Sequence, residues 1–326
     1  MPVVGGQLLA GLESSIGTEL AVAATQIIEA EREGLDTHSI AGNTAPFRRN
    51  VARHFAHSPK GAAPHGRYFE HPSIPIEVKA STAAGVAPEL GNMFQACGLT
   101  ETVAGTVTYA FGVNPNATAA RKAVTLRWQE LEDGNQYVSP GSRFNCALSH
   151  SIGERLMANF SGNGRWKLPA DTTVQAIVEA NVNQGAPLVN MGDSTPFTYF
   201  ANTTMVLRSW GIDFGVEVTP RPSLSSGATN GYYTYPFLTL NDPTFTCQVE
   251  VEDETFLSHW TNYSTAAVGD IILVLVAGSR TMTITLADCN TAGPARETGV
   301  PNLYNLTCTA HWDETADQSP LTIVTS

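Results

Sequence analysis

Apolar side chains recur at every second position in segment after segment of this chain, and that period limits its fold more than any other feature. Val124, Leu126 and Trp128 alternate with Thr125, Arg127 and Gln129; Phe144, Cys146 and Leu148 with Arg143, Asn145 and Ser149; Leu156, Ala158 and Phe160 with Arg155, Met157 and Asn159. Val206, Trp210, Ile212, Phe214, Val216 and Val218 share one parity, interrupted by Arg208 and open to a break at Gly211. Phe245 to Val251, Met282 to Leu286 and Tyr304 to Ala310 repeat the pattern, against Thr246, Gln248 and Glu250 in the first and Thr-rich faces in the other two. A period of two is the signature of strands that bury one face and leave the other in water or on a polar partner. Asp133-Gly134, Gly162-Asn163-Gly164 and Gly278-Ser279 read as the turns between them.

Two segments carry a helical period instead. Pro88 suits a first turn, Leu90, Met93, Phe94 and Cys97 form an i, i+3, i+4, i+7 stripe, and Gly98 fits the position just past the end. Asp253 can cap a second helix with Phe256, Leu257 and Trp260 on its apolar face, ending near Tyr263. The expectation is a mainly β protein, an antiparallel β-sandwich or barrel with two short α-helices and a long extended arm. It is read as a single elaborated domain over residues 1–326, with 163–200 as a candidate insertion.

Charge narrows the function. Lys and Arg number 18 and Asp and Glu 30, a net charge of −12, and charged residues make up only 15% of the chain. A phosphate-gripping protein carries a basic footprint, so nucleic-acid grip and docking on an anionic membrane are both disfavoured. The first thirty residues hold no Lys or Arg, and Glu13 and Glu19 interrupt their apolar stretch, which is unlike a signal peptide. The longest apolar run, 271–278, is far shorter than the roughly 20 residues of a membrane helix. The five Cys, at 97, 146, 247, 289 and 308, are too scattered for a zinc or redox pair and read as small buried hydrophobes.

Residues 38–72 depart from the alternation. They hold five of the eight His and the cations Arg48, Arg49, Arg53, Lys60 and Arg67, with no acid between Asp36 and Glu70. So long a stretch without clear elements reads as a functional arm. Upstream, Glu29, Glu31, Glu33 and Asp36 form an acidic cluster. Opposite charges on neighbouring segments point to head-to-tail contact between copies, with Arg48, Arg49, Arg53, His54, His57, Lys60 and Arg67 on the arm meeting the acidic counter-patch of the next copy.

No nucleophile elbow, P-loop, zincin, EF-hand or dinucleotide fingerprint is present, and the chain is read as a non-enzyme without a cofactor. The His54–His57 spacing is metal-like but sits in a Pro- and Gly-broken stretch without a carboxylate, and reads as an interface feature. Glu250, Glu252, Asp253 and Glu254 read as helix caps and dipole partners rather than a glycosidase pair. Trp128, Trp166, Trp210, Trp260 and Trp312 read as core or subunit-contact packing rather than a sugar groove.

Three stretches resemble the major tail tube proteins of tailed bacteriophages. Gln7 to Thr18 is similar to that family's opening strand and its E-x-x-x-G-T turn, here Glu13, Gly17 and Thr18. Ala87-Pro88-Glu89-Leu90-Gly91 through Ala96-Cys97-Gly98, followed by Leu99 to Thr102, resembles the family's helix and is the most specific match. From Ala123 to Gly162, a strand, the Asp133-Gly134 turn, Gly141, the Gly153-Glu154 turn and Phe160-Ser161-Gly162 follow the family's order. The C-terminal 160 residues match only in outline, and the departures are residues 38–72 and the segment from Leu168 to Phe200.

The resemblance implies a structural virion protein assembled in the host cytoplasm. Homo-hexameric rings share a continuous β-barrel and stack into the tail tube, and the genome passes through without specific binding. It implies tape-measure, terminator and tip proteins as partners. Thr246, Gln248, Glu250, Thr281, Thr283 and Thr285 are the candidate bore or inter-subunit polar face, since uncharged or acidic side chains do not hold phosphate. A carbohydrate-binding β-sandwich and another tail component such as a terminator are the alternatives; glycan binding lost on Trp→Ala would favour the first, one ring per particle the second.

Overall fold

The computed structural model describes residues 6–21, 27–28, 39–42, 67–112, 114–117, 121–130, 135–167, 170–171, 185–188, 190–191, 197–203, 205–223, 233–250, 253–296, 303–312 and 319–326. Within them the chain is mainly β with two short helices, α1 (Gly91–Ala96) and α2 (Asp253–Ser264). Every ladder is antiparallel, and nineteen strands link into one sheet, leaving a two-stranded ribbon of Val216–Thr219 and Phe237–Leu240.

The large sheet folds over on itself into two facing layers. In the first, Ser39–Gly42, Arg67–Glu77, Met157–Arg165, the second half of Asn135–Ser151, Val206–Asp213, Thr244–Glu250 and Leu303–Ala310 pair in that order. In the second, Leu99–Val103, Val107–Phe111, Leu321–Thr325, Arg280–Thr291, Gly269–Ala277 and Phe197–Tyr199 pair in that order. Arg280–Thr291 joins the layers: Met282 to Leu286 pair with the Leu321–Thr325 strand, and Cys289 to Thr291 pair with Leu303–Ala310. Asp288, at φ 50°, marks the bend between these two halves.

The alternation supplies the core as expected. Phe144, Cys146, Leu148, Phe160, Phe245 and Val249 from one layer meet Leu273, Ile284, Leu286, Ile323 and Tyr109 from the other in one cluster of buried residues. The Phe197 and Phe245 rings lie 6.2 Å apart across the interior, and Tyr199 Oη contacts Cys308 Sγ at 3.4 Å. All five cysteines are buried free thiols; burial pushes the Cys97, Cys146 and Cys247 thiols well above their ordinary range.

Helix α1 plugs the space between the layers. Leu90, Met93, Phe94 and Cys97 are all buried, and Gly98 turns the chain out at φ 96°. Gly91 is required for a different reason: a Cβ there would stand 2.3 Å from Tyr109 Oη, which donates to Glu101 Oε2 at 2.7 Å. The opening turn has an equally specific fastening. Buried Glu13 accepts from Gly17 N (2.5 Å), Gly141 N (2.7 Å) and Thr125 Oγ1 (2.7 Å), so one carboxylate ties the first turn to the middle of the Asn135–Ser151 strand and to the Val124–Glu130 strand. Burial raises its pKa, and those three hydrogen bonds act against the rise.

Several expectations from the sequence are corrected. Gly162-Asn163-Gly164 is not a turn but lies inside the Met157–Arg165 strand. The glycines serve close approach: a Cβ on Gly162 would be 2.1 Å from the Arg143 carbonyl oxygen, and one on Gly164 would be 2.0 Å from Ser139 Oγ. The parity break in Val206–Asp213 falls at a bulge between Leu207 and Ser209, not at Gly211, and it leaves Val206 exposed. The described side chains of Val124–Glu130 are covered on both faces of the strand rather than one. Arg127 donates to Glu19 Oε1 at 2.7 Å, and Lys167 meets the other oxygen of that carboxylate, so the Thr125, Arg127 and Gln129 face is covered too. Trp260 is 42% exposed, because α2 turns His259 inward instead, its ring 5.1 Å from that of Tyr199.

Candidate assembly surfaces

The arm is shorter than its composition implied. Residues 67–72 belong to the Arg67–Glu77 strand, and 39–42 pair against its start. His71 is wholly buried beside Phe69, Trp128 and Phe144, its Nε2 3.1 Å from Ser139 Oγ, so it belongs to the core and not to a polar arm. Arg48, Arg49, Arg53, His54, His57 and Lys60, the Arg67 side chain, and the acidic cluster of Glu29, Glu31, Glu33 and Asp36 lie outside the described residues, as does the Asp133-Gly134 turn. In the candidate insertion, Pro187 bridges to Lys79, Leu188 is buried, and Phe197–Tyr199 pairs with Gly269–Ala277, so these parts are built into the layers.

Thr246, Gln248 and Glu250 point away from the core on the first layer. Ladder pairing extends this face around Thr246 and Gln248 into rows, two of which cross six strands. One runs Thr307, Thr246, Gly211, Ser149, Met157, Glu77; the next runs Thr309, Thr244, Asp213, Ala147, Asn159, Pro75. A shorter row holds Asn305, Gln248, Ser209 and Ser151. No Lys or Arg stands in these rows, and Glu77 and Asp213 are their only acidic residues. At the rim, Arg208 Nη2 pairs with Glu250 Oε2 at 2.5 Å, and Arg155 Nη1 with Glu77 Oε2 at 3.1 Å, so these two arginines are ion-paired.

Thr281, Thr283 and Thr285 do not join this face. They lie on the outside of the second layer, in rows with Ile272, Val274, Val276, Thr322 and Val324. The rows that hold these three Thr carry no charged side chain and are far more apolar, although Asp270 stands exposed on the same side of the Gly269–Ala277 strand. The two Thr-rich stretches look alike in sequence, and only the non-local pairing separates them.

Nothing in the described residues gathers the remaining candidates. No three His, Cys, Asp or Glu side chains there are grouped to hold a metal ion. Trp260 and Tyr263 are both exposed, but their rings meet at 73°, so they form no flat platform for a sugar. Trp166 and Trp210 are buried. The side chains of Glu252, Asp253 and Glu254 lie outside the described set. No described helix is long and apolar enough to cross a membrane. Compared with protein-family models and with curated protein sequences, the chain matches none.

A basic cluster escapes the sequence pattern. Arg143 is wholly buried where the Asn135–Ser151 strand passes from the Val124–Glu130 ladder to the first layer. It donates to Asn116 Oδ1 (2.7 Å) and to the carbonyls of Pro115 (2.8 Å) and Pro236 (3.4 Å). Alternation gave Arg143 to a solvated face, and no local signal marks it otherwise.

Proposed function

We propose that this chain is the subunit of a bacteriophage-type tail tube, a structural virion protein whose copies close into hexameric rings and stack around a bore that conducts DNA. The observation that carries the reading is the six-strand outer face of the first layer, built mostly of Thr, Ser, Asn, Gln and small residues with Glu77 and Asp213 as the acids of its rows, and with Arg208 and Arg155 at its rim held in ion pairs. Each free cation facing DNA would add counterion-release affinity and slow its passage, whereas hydroxyls, amides and carboxylates leave phosphates unheld. This face is therefore assigned to the bore, and the more apolar Thr283 face of the second layer to contact with other subunits or tail components.

The layer that carries the bore face ends in the Ser39–Gly42 strand, which pairs on one side only among the described residues. An unpaired edge invites another strand, and closing the edge between subunits removes an aggregation hazard. In this reading the basic stretch after Gly42 reaches the acidic segment around Glu29 to Asp36 of the next ring. The tape-measure, terminator and tip proteins are the heterologous partners.

Negative-stain electron microscopy of the purified full chain at rising concentration tests the assignment. Six-fold rings with a central hole, some stacked, are the expected result. Monodisperse monomers at the highest concentration, with no ring in native tails at hundreds of copies, would overturn it.

A further inference from the structure

Around Tyr235 and Asn116 the fold gathers three guanidinium groups. The Arg121 and Arg221 guanidinium carbons lie 5.2 and 5.8 Å from the centre of the Tyr235 ring, and Arg121 also donates to Tyr235 Oη. Asn116 fastens the third group to the first: its carbonyl accepts from Arg121 Nε at 2.8 Å and its Oδ1 from Arg143 Nη1 at 2.7 Å. Arg221 is exposed, Arg121 and Tyr235 are half-buried, and Arg143 is wholly buried, so the cluster runs inward from the surface.

The chain has 18 cations against 30 acids, yet Arg143 and Arg221 form no ion pair among the described residues. Among the described residues, the groups that act on the Arg143 charge are repelling Arg121, the Cys97 thiol and the Tyr235 phenol, with no carboxylate among them. Burial is the larger influence and, with Arg121, lowers the Arg143 pKa to about 10. The Arg143 Nε is buried and has no hydrogen-bond partner among the described residues. Neutral carbonyls satisfy some guanidinium protons but do not cancel the charge, and a buried ion without a counter-ion is costly. Two guanidiniums on one phenol, backed through Asn116 by the buried charge of Arg143, are a fork-shaped donor set of the kind that binds an oxyanion.

We propose that Arg121, Arg143 and Arg221, with Tyr235, form an oxyanion-binding site that takes a phosphate or carboxylate group from outside the described fold. The site is independent of the tube assignment, because its ligand would bind the isolated folded chain as well as an assembly. Its test is thermal unfolding of the full chain titrated with inorganic phosphate or with glutarate, each against chloride at matched ionic strength. A saturable rise in Tm with either anion is expected; the anion that gives it identifies a tetrahedral or a planar ligand. Arg221→Gln and Arg121→Gln, both away from the fully buried position, should keep the fold and weaken the apparent affinity by about tenfold or more. Absence of any rise in the parent chain overturns the proposal. So does a rise of equal size in the Arg121→Gln/Arg221→Gln double variant, which would be the general effect of an excluded salt.

Discussion

Acid should loosen the second helix before it affects the rest of the fold, because His259 is buried in a place that cannot accept a charge. Its side chain is 1% exposed, and neither ring nitrogen has a hydrogen-bond partner among the described residues. Burial alone lowers its pKa from the ordinary 6.5 to about 4. Between those values the unfolded chain binds a proton that the native chain refuses. The stability is therefore complete above pH 6.5 and is lost as pH falls towards 4. Linkage over 6.5 − 4 = 2.5 units gives a loss of about 0.8 kcal/mol at pH 6, about 2 kcal/mol at pH 5 and about 3 kcal/mol in the limit. Urea unfolding from pH 7 to 4.5, followed by tryptophan fluorescence and near-ultraviolet circular dichroism, measures it. His259→Leu should flatten the curve between pH 6.5 and 4.5. It should be at least as stable as the parent at pH 7, since no hydrogen bond is lost and a buried polar group is removed. The further loss below pH 4.5 should persist in the variant. For Glu19, burial is outweighed by the Lys167 and Arg127 contacts, which hold its pKa low, so its contribution disappears only at stronger acid. An unchanged slope between pH 6.5 and 5 in His259→Leu would refute the reasoning.

Cys97→Ser should cost about 1–3 kcal/mol by burying a hydroxyl in an apolar site, and reductant should leave the melting temperature of the parent chain unchanged, since all five thiols are free. Gly162→Ala should cost at least about 2 kcal/mol in chemical denaturation, because its methyl would meet the Arg143 carbonyl. At Gly153, at φ 78° with open space around it, the same change should cost only about 1 kcal/mol of backbone strain. Deleting residues 43–66 should leave folded protein whose circular dichroism is native and whose tubes no longer lengthen; tubes of normal length would dismiss the arm. Thr246→Lys with Gln248→Lys should make assembled tubes retain duplex DNA in a gel-shift assay, with a salt slope steeper by about 0.9 for each additional phosphate neutralised.

The layered core was legible because Phe245, Cys247 and Val249, or Met282, Ile284 and Leu286, announce a buried face locally. Helix α1 was legible for the same reason, its four apolar positions and Gly98 all falling within a short local stretch. What stayed hidden depends on distant partners. Gly162 and Gly164 have the composition of a turn, but they are glycines because Arg143 and Ser139 press on them from a neighbouring strand. Arg143 and Thr125 look like solvated alternates, yet each is covered by chain far away in sequence. His71 sits in a basic, Pro-rich context that conceals its place against Phe144. The polar outer face of the first layer was half legible: Thr246 and Gln248 lie on it, whereas Ser149, Asn159 and Thr307 join them only through the ladder, and Thr283 lies on the opposite layer.

A cryo-electron microscopy map of native tails, at a resolution that separates side chains, bears most directly on the tube assignment. The expected map has six copies per ring and Thr246, Gln248 and Ser149 on the channel surface. A map in which those residues face the exterior, or in which the channel is lined by unpaired arginine and lysine, contradicts it.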